Sequence, residues 1–424
     1  MMDAWSDNPG SENTLVADLR KRRDFDVDEI IQSTLTAARR HLGMKVAYVS
    51  KITGNLTRYL YVDAPGYEHL IKPGDVRSLD DVFCRHILEG RIPNLLSDAA
   101  CHPVTRDMAI THAVPIGAHV SIPICGSDGK VIGMFCCLDT DANPTLNVRD
   151  LGIVRLFAEI AGAQLDRKLA RERRSCAVRQ RIERMIANRQ FSSVYQPLWN
   201  ISKGTIFGFE CLARFPIDPS RPTHSWFDEA GSVGLRTEFE LAVLGVALRG
   251  AVALPADIRV SVNASASTMI DPRFANTLIA FDVSRLIIEL TEYARVEDFR
   301  ELRGALKPLV SLGAKVAVDD AGSGYAGLKH IVGVNADLIK LDRGLIKDIE
   351  SSPVSRALIS ALSVFARQTG SILLAEGIET RSEFETPNAL GIEYGQGNFL
   401  GQPVSMKLAI EMLNRANLGS SRTR

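Results

Sequence analysis

The apolar positions change rhythm along the chain, and each rhythm predicts a different kind of element. From Val27 to Leu42 the residues Val27, Ile30, Ile31, Leu35 and Ala38 recur at steps of three and four before Gly43, which predicts a helix of about four turns. Lys45–Lys51 and Thr57–Val62 are β-branched and aromatic runs around Thr53-Gly54-Asn55, a hairpin signal. A second hairpin is predicted from His119–Ile124 and Val131–Leu138 across Gly126-Ser127-Asp128-Gly129. The first part of the chain is therefore expected to be an α+β domain. Asn147, with Asp150 three residues on, caps a long helix whose stripe Leu151, Val154, Phe157, Ala161, Leu165 continues through Leu169 toward Ile182 and Met185. Its second half is basic with a narrow apolar seam, which either a second helix in a parallel dimer or the chain's own domain would cover.

From Phe191 onward short aliphatic runs alternate with helical stretches, the pattern of βα units around a parallel sheet, and an α/β barrel closes such units naturally. The expected organisation is a flexible polar tail (1–24), an α+β domain (25–165), an exit helix (147–189) and a (β/α)8-type barrel (190–424). A length of 424 residues agrees with more than one domain. Composition narrows the class: 46% apolar and 24% charged residues describe a globular protein with aliphatic cores. Fifty basic against fifty acidic residues leave no net charge, and the basic helix lacks interleaved aromatics, so direct nucleic-acid binding is not expected. No apolar run approaches the roughly 18 residues of a membrane helix, and the opening residues lack the order of a signal peptide. A cytoplasmic protein without a membrane span is expected. The seven cysteines are odd in number and show no zinc-like spacing, which argues against a disulfide framework and a structural zinc.

The candidate chemistry lies where the apolar runs stop. Phe207-Gly208-Phe209 stops at Glu210, Arg259–Val262 at Asn263, Leu286–Ile288 at Glu289, and Lys315–Val318 at Asp319 and Asp320. Leu338-Ile339 stops at Lys340, before Leu341 and Asp342; Ile372–Ala375 stops at Glu376, with Glu379 beyond; and Gln396 sits in Gly395-Gln396-Gly397. In a parallel barrel these positions meet at the C-terminal rim, where barrel enzymes carry their chemistry. Carboxylates so placed repel one another unless cations lie among them. Hard oxygen donors suit Mg²⁺ or Mn²⁺, and adjacent Asp319 and Asp320 could serve two ions acting on a phosphate ester. A glycosidase needs only two carboxylates and no metal, so five or more acids plus Lys340 exceed its requirement.

These residues resemble the EAL family of cyclic di-GMP phosphodiesterases over roughly Phe191 to Leu413. The matching stretches are Tyr195-Gln196-Pro197, Glu210–Arg214, Val262–Ser265, Glu289-Leu290-Thr291-Glu292, Asp319–Tyr325, Lys340-Leu341-Asp342, Ala375–Thr380 and Gly395-Gln396-Gly397. The resemblance implies an eight-stranded barrel with an irregular first strand, two Mg²⁺ or Mn²⁺ ions, and hydrolysis of cyclic di-GMP to linear pGpG. By the same carry-over Glu210, Asn263, Glu289 and Asp319 would hold one metal, and Asp319, Asp320 and Glu376 would serve the second metal and the attacking water. Lys340 would orient water and steady charge, Gln396 would position Glu376 or its water, and Arg214 would contact phosphate. Glu292 would anchor the loop from Ala321 to Leu328, which contains Tyr325; Asp342 and Glu379 would be supporting carboxylates. The sequence departs from the family at Cys211, where alanine is usual, and at Ala321 and Ala326-Gly327, where phenylalanine and two serines are usual. If those departures silenced the chemistry, the chain would be a catalytically weak cyclic di-GMP receptor or scaffold. The first domain resembles a GAF domain, which implies an unidentified small molecule or signal there and a homodimer.

Overall fold

The computed structural model describes residues 27–291, 298–321 and 325–420, with side chains throughout except at Asp320, 325–329 and 417–420. The tail 1–24, Glu292 and the side chains of Asp320 and Tyr325, all singled out above, lie outside the described residues. The chain divides into two units, Met1–Arg174 and Ser175–Arg424.

In the first unit, helix α1 (27–42) forms where the three- and four-residue spacing places it, with Ile31, Leu35 and Ala38 fully buried. Six strands follow: β1 (Val46–Thr53), β2 (Leu56–Asp63), β3 (Val76–Ser78), β4 (Leu95–Leu96), β5 (Ala118–Cys125) and β6 (Val131–Asp139). They form one antiparallel sheet in the order β3-β2-β1-β6-β5-β4. Gly54, at φ 60°, makes the tight β1–β2 connection that a β-carbon would strain. Strand β6 is covered on both faces, because successive side chains alternate across the sheet. Phe135 and Cys137 join the core under α1, whereas Met134, Cys136 and Leu138 join the core under the short helices α2 (Phe83–Leu88) and α3 (Ala109–Ala113).

Helix α4 (Val148–Ala187) runs for 40 residues. Its start is a reciprocal cap: the Arg149 amide donates to Asn147 Oδ1 at 2.9 Å, and the Asn147 amide donates to Asp150 Oδ2 at 2.9 Å. Val154, Ala158, Ala161 and Leu165 are buried in the first unit. Phe157 is half-buried and packs against this core, and Ala158 beside it is buried as well. At the other end Ile182 and Met185 are fully buried with Phe191, Phe215, Trp226 and Phe239. The chain's own aromatic cluster therefore covers that part of the seam. No helix among the described residues is long and apolar enough to cross a membrane.

The second unit is a closed barrel of eight strands: β7 (Ser192–Asn200), β8 (Thr205–Arg214), β9 (Arg259–Ala264), β10 (Leu286–Leu290), β11 (Lys315–Ala321), β12 (Leu338–Leu341), β13 (Ile372–Ala375) and β14 (Tyr394–Gly395). Strands β8 to β14 are parallel to their neighbours in turn, and β7 closes the ring antiparallel to both β14 and β8. This is the irregular first strand that the family resemblance implied. Helices α5 (Thr223–Ser232) and α6 (Arg236–Ala251) follow β8. Inside the ring Leu198, Ile287, Ala317, Leu338 and Leu374 pack together, with Phe207 and Tyr394 against them, so the barrel is filled rather than open.

Met185→Ala removes a fully buried side chain from the aromatic cluster and is expected to cost about 2–5 kcal/mol of barrel stability. Urea unfolding followed by Trp226 fluorescence measures it; an unchanged midpoint would mean that the helix end is not part of the barrel's core.

Candidate active site

The barrel's apolar filling dictates where its polar residues stand. Along a strand, residues two apart share a face. Two positions beyond Ile287, Ala317, Leu338, Leu374 and Tyr394 come Glu289, Asp319, Lys340, Glu376 and Gln396. On antiparallel β7 the equivalent step from Leu198 is backward, to Gln196, and on β9 Asn263 stands two beyond Ser261. A polar layer thus sits directly above the apolar one. The strands do not end at these residues, as the apolar runs suggest: β8, β9, β10 and β11 each run past Glu210, Asn263, Glu289 and Asp319. They are inward-facing positions within the strands, which holds their backbone in the hydrogen-bonded ladder.

Lys340 is the centre of the layer. Its side chain is 1% exposed, and its ammonium lies 2.6 Å from Glu376 Oε1, 2.8 Å from Glu289 Oε2, 3.3 Å from Asp319 Oδ1 and 3.4 Å from Glu210 Oε2. Burial alone would lower the Lys340 pKa, but the four surrounding carboxylates outweigh it and hold the ammonium charged. Burial pushes Glu289 up to about 8, with Glu210 adding to the rise and Lys340 opposing it. Burial likewise raises Glu376 well above the usual carboxylate range against the pull of Lys340. Four carboxylates share one ammonium, so the layer has room for more positive charge.

The remaining bonds fix orientation. Asn263 Nδ2 donates to Glu210 Oε1 at 2.8 Å, and Gln396 Nε2 donates to Glu210 Oε2 at 2.6 Å and to Gln196 Oε1 at 2.9 Å. The Ser261 hydroxyl donates to Glu289. Gln396 was expected to position Glu376 or its water; its amide nitrogen turns to Glu210, because β14 adjoins β7 and brings Gln396 against Gln196 and the neighbouring β8. The buried Gln396 Oε1 is left without a partner in the described structure. Arg214, at the end of β8, donates only to the Ala213 carbonyl and makes no ion pair among the described residues. Asp342 and Glu379 do not enter the layer's bonds. Asp342 caps the helix that starts at Arg343, and Glu379 pairs with Arg343 at 2.6 Å.

Three bracing residues carried no role in the sequence reading. Gln196 and Ser261 were findable from the two-residue period, since each precedes or faces a residue already singled out. Glu240 on α6 is buried, accepts from the Ser265 amide at 2.9 Å and hydroxyl at 2.8 Å, and so steadies the segment after Asn263. An acid on the apolar face of a helix was its signal.

Among the described residues no three His, Cys, Asp or Glu groups are arranged around a common point for an ion, because Lys340 takes the point on which the carboxylates converge. The donor set nevertheless suits a hard divalent cation: every group is a carboxylate or amide oxygen, and the layer already gathers around a positive charge. A model of the EAL domain matches residues 179–403, more than half of the chain. The chain belongs to the EAL domain family. A model of the GAF domain matches residues 26–165, so the EAL domain follows an N-terminal GAF domain. The chain is 30% identical over 318 residues to an uncharacterized protein, y4lL, of Sinorhizobium fredii, covering 70% of this chain and 37% of that one. It is 30% identical over 240 residues to the cyclic di-GMP phosphodiesterase PA2567 of Pseudomonas aeruginosa, covering 53% of this chain and 40% of that one. The chain thus spans well under two thirds of these relatives. A solved EAL enzyme, Bd1971, in its cAMP and cyclic di-GMP bound form, is 17% identical with a TM-score of 0.52, covering 87% of this chain and 93% of that one, a likeness of fold.

Lys340→Met leaves the buried carboxylates of this EAL domain without their counter-charge. In the presence of a chelator it is expected to lose about 3–5 kcal/mol of stability by urea unfolding, and an unchanged stability would refute the central place given to the ammonium.

Proposed function

We propose that the chain hydrolyses cyclic di-GMP to linear pGpG, regulated by its GAF domain. The observation that carries this reading is the polar layer itself: Glu210, Asn263, Glu289, Asp319 and Glu376 face one another around Lys340 in an EAL barrel. The name of the Pseudomonas aeruginosa relative supports the same substrate. Glu210, Asn263, Glu289 and Asp319 would hold one Mg²⁺ or Mn²⁺ ion, and Asp319, Asp320 and Glu376 would serve a second. Such ions, when bound, supply an activated water and neutralise charge on a phosphodiester.

The chain's own groups do the rest. Glu376 accepts the proton of the attacking water, and Lys340, held within 2.6 Å of Glu376, donates to the oxygen on which charge develops. The unpartnered Gln396 Oε1 takes a hydrogen bond from a water and Gln396 Nε2 holds Glu210 in place. Arg214, unpaired with any described carboxylate, meets a phosphate. Cys211 is buried next to Glu210 and this departure removes no ligand, and retention of the whole ligand set favours an active enzyme over a silent receptor. The cytoplasm, where cyclic dinucleotides are made and spent, is the proposed location.

The purified 424-residue chain with cyclic di-GMP and either Mg²⁺ or Mn²⁺ is expected to yield pGpG by liquid chromatography. Glu376→Gln and the double variant Glu210→Ala, Asp319→Ala are each expected to lose at least about 10³-fold in kcat. Binding without pGpG under both metals would establish the receptor reading instead.

A homodimer is also proposed. Ile153, Leu156 and Ile160 recur at helical spacing on the uncovered side of α4 in the GAF unit, exposed by 36%, 57% and 41%. Leu156→Asp is expected to convert a dimer to a monomer in light scattering; a wild-type monomer at micromolar concentration would refute the dimer.

A further inference from the structure

The GAF unit has a second polar site, on the face of its sheet that α1 and α4 cover. The cover is incomplete. The core under these helices holds Val49, Leu165 and Leu169, with Leu60 against it, and at its edge a cavity of about 660 Å³ opens between the sheet and α4. Lys51 stands two residues beyond Val49 and therefore on the same face. Cross-strand register sets the rest of the floor: Lys51 on β1 lies opposite Arg58 on β2, and Arg58 lies opposite Val76 on β3. Two cations and an apolar side chain thus stand in one row.

Like charges directly opposite each other on neighbouring strands destabilise a sheet unless something of the other sign lies against them. The chain supplies nothing of the kind. Neither Lys51 nor Arg58 makes an ion pair or a side-chain hydrogen bond among the described residues, although both line the cavity. The third cation of the wall, Lys168 on α4, is already engaged, since its ammonium donates to Asp28 Oδ1 at 2.6 Å and to the Tyr61 hydroxyl at 3.0 Å. Glu172, one turn further along α4, is the wall's other carboxylate and forms no ion pair with Lys51 or Arg58. Three cations against two carboxylates leave the lining with one surplus positive charge. Beside the cations, Leu56 is 51% exposed and Val76 43% exposed. Large apolar side chains left in water next to unpaired cations match a molecule that has both an apolar body and a negative head. The cavity is also of small-molecule size, within the range of roughly 300–1,000 Å³.

We infer that this cavity binds a small amphiphilic anion, a carboxylate or phosphate head on an apolar body. The head lies between Lys51 and Arg58, where an ammonium and a guanidinium give it charge-assisted hydrogen bonds. The body lies along Leu56, Leu60 and Val76 and removes their apolar surface from water. A bound molecule touches the sheet and the Leu165–Glu172 stretch of α4 at once, and so ties one to the other. The inference concerns binding and does not depend on hydrolysis of cyclic di-GMP.

The probe is anilinonaphthalene sulfonate, an aromatic amphiphile with a single negative charge, titrated by fluorescence into the purified 424-residue chain. Saturable binding is expected, with the neutral analogue phenylnaphthylamine at least about tenfold weaker, because the sulfonate is the group that the two cations hold. The double variant Lys51→Gln, Arg58→Gln is expected to weaken the sulfonate at least about tenfold and to leave the neutral analogue unchanged. Its urea midpoint is expected to stay level or rise, since the substitutions relieve a repulsion. Dodecanoate or dodecyl phosphate is expected to displace the probe, the stronger of the two identifying the head group, whereas dodecanol and inorganic phosphate are not. The assignment is overturned by absence of saturable binding, by equal affinity for the charged and neutral probes, or by undiminished sulfonate binding in the double variant. A lowered urea midpoint in that variant overturns it as well, and so does displacement by inorganic phosphate as strong as by dodecyl phosphate.

Discussion

One buried ammonium organises the barrel. Carboxylates placed on neighbouring strands of a closed ring cannot all stay ionised in a low-dielectric interior without a positive charge between them. Lys340 supplies that charge from β12, and Glu210, Glu289, Asp319 and Glu376 from four other positions turn toward it. Everything nearby serves the same balance. Asn263, Gln396 and Ser261 donate to the carboxylates, Gln196 accepts from Gln396, and Glu240 steadies the segment after Asn263. The surplus of negative charge that remains is what a divalent cation and a phosphodiester would need.

That balance depends on the layer beneath it. Ile287, Ala317, Leu338 and Leu374 fill the ring and exclude water from below, so the polar side chains two residues further on are open on one side only. The same geometric rule operates in the GAF sheet with different chemistry. There, alternation on β6 sends Phe135 and Cys137 into one core and Cys136 into the other, and cross-strand register sets Lys51, Arg58 and Val76 in a row. In both units a two-residue period decides which groups meet.

Much of this was legible in the residues because it is local. The period of α1, the turns of both hairpins and the reciprocal cap of α4 depend on side chains within a few positions of one another. The rim acids were legible because each ends an apolar run of its own. Partners were not. Which carboxylate the Gln396 amide meets depends on the strand that closes the ring, and the reversed β7 puts Gln196 and Glu210 there.

By itself, then, the sequence determined the elements, the two units' classes and the list of groups able to do chemistry, since propensity, capping and alternation act over a few residues. Only the tertiary structure decided that Lys340 rather than any one acid is the centre, and that the α4 seam at Ile182 and Met185 is covered by the chain's own aromatic cluster. Each of those facts joins residues far apart along the chain, and burial sets its strength: charges attract one another strongly only where the fold has removed the water between them.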